Sequence, residues 1–406
     1  MVTREALKVA HESCSFIATT DRQYDDSFGS TGAKIGTALR VRKPNAYTRT
    51  TGSRVMAVQD QSEVSQSITV ATQDHVDMRF NSVELALSID DFSKRYIEPA
   101  VKVLVSGIEG DYLAACTKAT YNVAGTAGTA ITTLQVPGDA RTKLNRGLAP
   151  KDQNRAIQFD SATMAGLVNG VASYFNPSGA LSKQFTEGLV ARTAMADYYE
   201  NERIWTMANG SDITVATESS SALGTAAADG SYTTLNFSTT MDFSVQKVGM
   251  VFTIAGVYAC HPETKAAYPA LQQFTIVTVP ASNTFTTISP AIYLSGARQN
   301  VCKNVGTALA ATDFNTQTCV FVGSASTNYP MGLMYHKEAF QFVTADLPLM
   351  DDAAKCVRRV QDNLSMRVWQ ASDIRNDEQL MRIDILYGFA QLRPEWACRM
   401  VGAAAS

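Results

Sequence analysis

The chain has 406 residues, of which 45% are hydrophobic and 18% charged, and its net charge is −3. That length supports two or three domains with cores of their own, and the composition excludes a disordered or fibrous chain. Coating nucleic acid requires a clear Lys/Arg excess to neutralise phosphates, so the small negative charge argues against that class as well.

Residues 1–37 mix polar, small and Gly-rich text, ending in Phe28-Gly-Ser-Thr-Gly-Ala-Lys-Ile-Gly36, and predict an extended arm. From 38 to 80 the text turns strand-like, in Leu39–Arg42, Arg54–Val58, Gln66–Ala71 and His75–Phe80, punctuated by Pro44 and Gly52. This predicts a long hairpin-like excursion. Its first part carries Arg40, Arg42, Lys43, Arg49 and Arg54, while Asp60, Glu63, Asp74 and Asp77 follow. Opposite charges on successive pieces of a projecting element suit contacts between subunits, so Arg40, Arg42, Arg49, Arg54 and Glu63 are the candidate contact residues. An ordinary solvated hairpin would carry the same charges.

Ser88 and Asp91 read as a capping box that opens a helix over about 90–120. Phe92, Tyr96, Ala100, Val103, Leu104, Ile108 and Tyr112 recur at three- and four-residue spacing and form its expected buried face, while Gly107 and Gly110 count against its running straight throughout. Asp139–Arg155 reads as a basic loop marked by Pro and Gly. A second helix is expected from Ser161, with Met164, Leu167, Val168, Val171 and Phe175 on one stripe, stopped at Asn176-Pro177.

Residues 211–310 hold four Lys/Arg and five Asp/Glu, against about 21 charged residues per hundred in the remainder. This shift predicts a small antiparallel β-domain inserted into another domain, with Met250–Val257 as a buried strand and Phe274–Val279 paired with Thr284–Ile288. Strand-like text returns at Cys319–Val322, Ala339–Val343 and Met366–Trp369. The final strand, Arg382-Ile-Asp-Ile-Leu-Tyr-Gly-Phe-Ala-Gln-Leu-Arg-Pro-Glu-Trp396, alternates Met381, Ile383 and Ile385 against Arg382 and Asp384 and is broken at Gly388.

Motifs for chemistry are sparse. Gly29-x-x-Gly-x-Lys34 lacks the spacing, the Ser or Thr after Lys and the preceding buried strand of a phosphate loop. The four histidines, at 11, 75, 261 and 336, are too dispersed for a helical zinc motif, and the adjacent Cys260-His261 side chains diverge on a strand. Asp25-Asp26, Asp90-Asp91 and Asp351-Asp352 are explained as arm, helix N-terminus and loop. No nucleophile elbow or His-Glu-x-x-His motif occurs, so the expectation is a non-enzymatic protein without cofactor or metal. Seven cysteines without a CxxC pair, together with the absence of an apolar leader, predict free thiols and a cytosolic origin.

The final strand and the stretches Val251–Val257, Phe274–Val277 and Ile288–Ile292 resemble the coat proteins of short-tailed bacteriophages of the phage P-twenty-two type. The order of parts matches along nearly the whole chain, with the specific sequence likeness at about 248–292 and 335–396. The resemblance implies an α+β fold of the Hong Kong ninety-seven capsid type with an inserted antiparallel β-barrel domain. Its parts would be an N-terminal arm (1–37), an E-loop (38–80), a peripheral domain (81–158) with a spine helix (90–120), and an axial domain (159–210 and 311–350) split by the insert (211–310). Residues 351–406 would return to the peripheral domain and end in the C-terminal strand.

The function implied is that of a major capsid protein, self-assembling as hexamers and pentamers into the icosahedral shell of the virion. Scaffolding protein, portal protein and enclosed double-stranded DNA would be its partners, with no membrane, and assembly would take place in the bacterial host cytoplasm. One departure concerns the acidic loop by which the family's insert contacts a neighbour. Ala222–Asp242 holds only Asp229 and Asp242, so a salt bridge there is not expected. The competing class is a phage tail or receptor-binding protein with a β-rich binding insert.

Overall fold

The computed structural model describes residues 14–25, 38–52, 56, 58–59, 64–81, 96–171, 196–238, 246–279, 286–304, 307–350, 355–361, 363–373, 375–376 and 378–403. In chain order its strands are β1 (Asp21–Asp25), β2 (Ala38–Lys43), β3 (Val64–Thr69), β4 (Thr72–Asn81), β5 (Val123–Ala124), β6 (Arg155–Phe159), β7 (Asp197–Glu200), β8 (Thr206–Ala208), β9 (Thr214–Ala216), β10 (Tyr232–Leu235) and β11 (Val251–Cys260). They continue as β12 (Ala267–Thr278), β13 (Thr286–Ile292), β14 (Val301–Cys302), β15 (Thr318–Phe321), β16 (Asn328–His336), β17 (Phe340–Ala345), β18 (Lys355–Gln361), β19 (Leu364–Asp373), β20 (Glu378–Gln391) and β21 (Ala397–Val401). The helices are α1 (Phe16–Thr19), α2 (Glu98–Ala119), α3 (Gln135–Arg146) and α4 (Ser161–Val171). The expected α+β class is therefore present. The chain divides into two compact units, Met1–Lys43 with Ser65–Leu113 and Lys337–Leu392, and Pro44–Val64 with Ala114–His336 and Arg393–Ser406.

The first unit is built on a sheet of order β1-β17-β20-β19-β18, with β4 also paired to β20. Within this unit α2 buries Val101, Leu104, Val105, Ile108 and Tyr112, with Ile97 just before it buried as well, one stripe at helical spacing. Val103, expected on that stripe, is 67% exposed, because two residues on from Val101 the helix has turned through about 200°. The expected start of the helix, with its Ser88–Asp91 box, lies outside the described residues, and Gly107 and Gly110 do not interrupt it.

Residues 14–25 correct the expectation of an unpacked arm. Phe16 is fully buried, its ring 4.8 Å from that of Tyr112 and 6.1 Å from that of Phe340. Its backbone N–H donates to the buried Glu109 carboxylate at 2.8 Å, and the Ser15 hydroxyl does so at 3.2 Å. Burying such a ring stabilises by roughly 1.5–3 kcal/mol, enough to hold the segment where β1 adds in parallel to β17.

The last part of the expected excursion also belongs to this sheet. β2 and β3 are hydrogen-bonded to each other, but β4 pairs along its whole length with β20, from Glu378↔Asn81 to Tyr387↔Thr72. β20 likewise runs through Gly388 to Gln391 instead of breaking there. A Cβ at Gly388 would collide with the Thr69 carbonyl, so this glycine serves a close backbone approach. Nor is the second face of β20 solvated throughout. Asp384 is fully buried and paired with Arg367 of β19, whose Nε lies 3.0 Å from its Oδ1.

The second unit contains two sheets. One has the order β10-β13-β12-β11-β15-β9 with β14 on β11, and the other β5-β21-β16-β6-β7 with β8 on β16. The first is filled by Phe237, Phe252, Phe274 and Phe321 among aliphatic side chains, with Phe252 5.1 Å from Phe321 and 5.4 Å from Phe237. The expected pairing of Phe274–Val279 with Thr284–Ile288 is present as β12 with β13. The sheet also extends past residue 310, since β15 pairs with both β11 and β9. Cys319 and Phe321 are buried there, which corrects the assignment of that strand to the segment 311–350. That segment does not stay together, for β15 and β16 lie in the second unit and β17 in the first.

Asp139–Arg155 contains most of α3 where a loop was expected. Pro137 falls in the helix's first turn, where its missing N–H costs nothing, and Pro137, Ala140 and Leu144 bury one stripe. β21, not anticipated, is wholly buried between β5 and β16. Arg399 on it is fully buried; its Nη1 donates to Gly249 O at 2.6 Å, and its Nη2 donates to Lys118 O at 2.7 Å and Thr275 Oγ1 at 3.0 Å. A cation on the last carbonyls of α2 also complements the helix dipole. All seven cysteines are free thiols, as expected.

Candidate assembly surfaces

The candidate contact residues separate in the structure. Arg40 and Arg42 stand two apart on β2 and are both exposed, while Val41 between them packs against Ile68, Val70 and Val343. Strand alternation thus turns the two guanidinium groups away from the packed face. Arg49 is exposed in the stretch after Pro44. Arg54 and Glu63 lie outside the described residues, as do Asp60, Gly29–Lys34, Asp90-Asp91 and Asp351-Asp352.

The excursion beyond β2 is clasped across its width. The Thr48 N–H donates to Gln59 Oε1 at 2.8 Å and Gln59 Nε2 donates back to Thr48 O at 2.6 Å. Thr48, Arg49 and Thr51 line one side of a cavity of about 560 Å³, and Glu263, Thr264 and Lys265 line the other. Sequence reasoning weighed only the charges here and missed the apolar residues. Tyr47 is 56%, Met56 84% and Val58 80% exposed. The signal was the apolar content of Arg54–Val58, with Met56 and Val58 at strand spacing.

Asp74 and Asp77, read as the excursion's acidic counterpart, are instead on β4. Asp74 accepts from the Tyr387 hydroxyl at 2.8 Å, and Asp77 takes a bidentate pair from Arg382, with Nε at 2.6 Å and Nη2 at 3.0 Å. The Arg382 hydrogen bond pulls the Asp77 carboxyl below its usual pKa, outweighing the small opposing effect of burial, and His75 at 3.1 Å adds to it. A depressed carboxylate stabilises the fold above its unfolded pKa of about 3.9 and stops doing so as pH falls through the folded value. Both partners are largely exposed, which limits the contribution to about 0.2–1 kcal/mol. Asp77→Asn should therefore unfold slightly more easily than the parent at pH 6, and the difference should vanish by about pH 2 in urea titrations; a constant gap at both pH values would contradict the pairing.

The other titratable candidates have local structural roles. His261 Nδ1 accepts from the Glu263 and Thr264 N–H groups in the turn after β11. His336 is buried on β16 with Nε2 3.0 Å from Asp152 and its ring edge-on to Trp396. Among the described residues no group of three or more His, Cys, Asp or Glu is placed to hold a metal ion.

Residues 204–402, just under half of the chain, match the family model described as P22 coat protein, gene protein 5. This span contains both regions of specific sequence likeness to the phage coat proteins, about 248–292 and 335–396. No curated protein matches the chain. Among solved structures it is similar to the mature capsid of bacteriophage PhiM1, at 11% identity over 97% of this chain and 88% of that one, with a TM-score of 0.47. The capsid of Cyanophage P-SCSP1u gives 10% identity over 95% and 87%, with a TM-score of 0.46. A structure from Mycobacterium phage Che8 gives 8% over 93% and 88%, with a TM-score of 0.45.

Proposed function

We propose that this chain, a coat protein of the phage P-twenty-two family over its residues 204–402, is a major capsid protein that builds the closed shell of a bacteriophage head. The family match carries the reading. Its work is mechanical, and repetition supplies the strength. Each contact between copies can be weak, yet a subunit held by several neighbours at once is retained by the effective concentration they create.

The excursion acts between copies, through Arg40, Arg42, Arg49, Arg54 and Glu63 and through Tyr47, Met56 and Val58. The shell consists of hexamers and pentamers that assemble in the host cytoplasm with scaffolding and portal proteins, then enclose double-stranded DNA without reading its sequence. A net charge of −3 suits a wall that surrounds DNA without coating it.

Electron microscopy of the purified chain, with its scaffold where required, should show hollow particles of one dominant size. An Arg40→Glu/Arg49→Glu variant should unfold like the parent, because exposed charges contribute little to folding, while its particles form slowly or not at all. Trimers or open tubes under all conditions would favour a tail protein and overturn the coat reading.

A further inference from the structure

Two edge strands of the first unit's sheet, β18 and β4, differ in charge. β4, β20, β19 and β18 are neighbours in that order, each antiparallel to the next. Among the described residues, no strand pairs with the outer side of β18 or of β4. An unpaired edge leaves a row of backbone donors and acceptors for another chain, and monomeric proteins usually blunt it. Here β18 is seven residues long and without proline, with Val357 and Val360 exposed.

The charges differ between the edges. β18 carries Lys355, Arg358 and Arg359. Arg358 is paired with Asp346 at 3.0 Å, whereas Lys355 and Arg359 have no carboxylate partner among the described residues. On β4, Asp77 is paired with Arg382 at 2.6 Å and Arg79 with Glu378 at 3.1 Å, which leaves Asp74, bonded to the Tyr387 hydroxyl, as the edge's uncompensated carboxylate among the described residues.

We propose that β18 of one copy pairs with β4 of the next, joining their sheets head to tail; this rests on the coat-protein reading above. Strand parity supports it. Four alternating strands mean that a second copy in the same orientation offers its β4 antiparallel to β18, with its packed face on the same side. Two β18 strands related by a two-fold axis would instead set cation against cation, which is destabilising for directly opposed residues. A head-to-tail contact uses two different patches, and it closes into a ring when the rotation per copy divides a full turn. The right-handed twist of a sheet supplies a rotation at every added copy.

The test compares assembled particles with dispersed chains. In the unmodified protein, amide exchange over 355–361 and 72–80 should slow by at least about tenfold on assembly, as expected when open edge amides become paired. In a Cys356→Ser background, Val357→Cys together with Val76→Cys should give a disulfide ladder of dimers and higher multimers when particles are treated with a mild oxidant, and neither single variant should. Cross-linked dimers from Val357→Cys alone would mean that β18 faces β18 and would overturn the proposal. Closed particles with unchanged exchange at both edges would overturn the strand pairing and leave the coat reading standing, whereas a failure to form particles at all would remove both.

Discussion

Replacing Asp384 with Ala is expected to cost about 3–5 kcal/mol of stability, because it leaves the Arg367 guanidinium buried without its counter-ion. The pair lies at the centre of the first unit's sheet, with Asp384 fully buried and the Arg367 side chain 4% exposed. Arg367 Nε and Nη2 both donate to the carboxylate, Gln73 Nε2 donates to its Oδ2 at 2.9 Å, and Arg367 Nη1 donates to Pro348 O at 2.6 Å. One side chain therefore ties together β4, β19 and β20. Removing both charges is a different change, since a buried ion pair replaced by apolar side chains of similar size is often neutral or stabilising. The double variant Asp384→Leu/Arg367→Met should recover most of the loss. Urea unfolding of dispersed chains checks both expectations, and a single variant that costs less than about 1 kcal/mol would show that water reaches the site.

The same pair shows where the sequence stops being legible. Period-two alternation identified β20 and its apolar face correctly, since Met381, Ile383 and Ile385 are buried. It put Asp384 on the other face with Arg382, but alternation does not say whether that face is covered, and Arg367 lies 17 positions away in sequence. α3 was hidden because Gly147 and Pro150 marked 139–155 as loop text, whereas Gly147 is the residue at which the helix ends. Phe16 was invisible because its burial depends on Tyr112 and Phe340, both remote in the chain. Of the candidate assembly surface, the charges of β2 and the loop after it were legible, while the return of β4 into the sheet was not. Whether a charged strand projects or pairs is decided by its neighbour, here β20.

A fragment spanning 211–322 is expected to fold on its own with a cooperative thermal transition and a β-rich circular dichroism spectrum, whereas 211–310, the window marked by low charge, should remain unfolded. The difference is β15. Val320 is opposite Thr214 of β9, and the Phe321 N–H donates to Ile213 O at 2.9 Å. The ends of the longer fragment are therefore neighbouring strands, about 5 Å apart, which is the closure an inserted domain requires. Cutting at 310 removes the strand between β9 and β11, together with Phe321, whose ring packs on both Phe252 and Phe237. Losing one such core aromatic costs about 3–5 kcal/mol, and Cys319 and two ladders of hydrogen bonds go with it. Domains of this size are stable by only about 5–15 kcal/mol, so the shorter fragment loses most or all of its margin. A longer fragment without a thermal transition would show that the seven-stranded sheet needs the rest of its unit, and equal folding of the two fragments would show that β15 is dispensable.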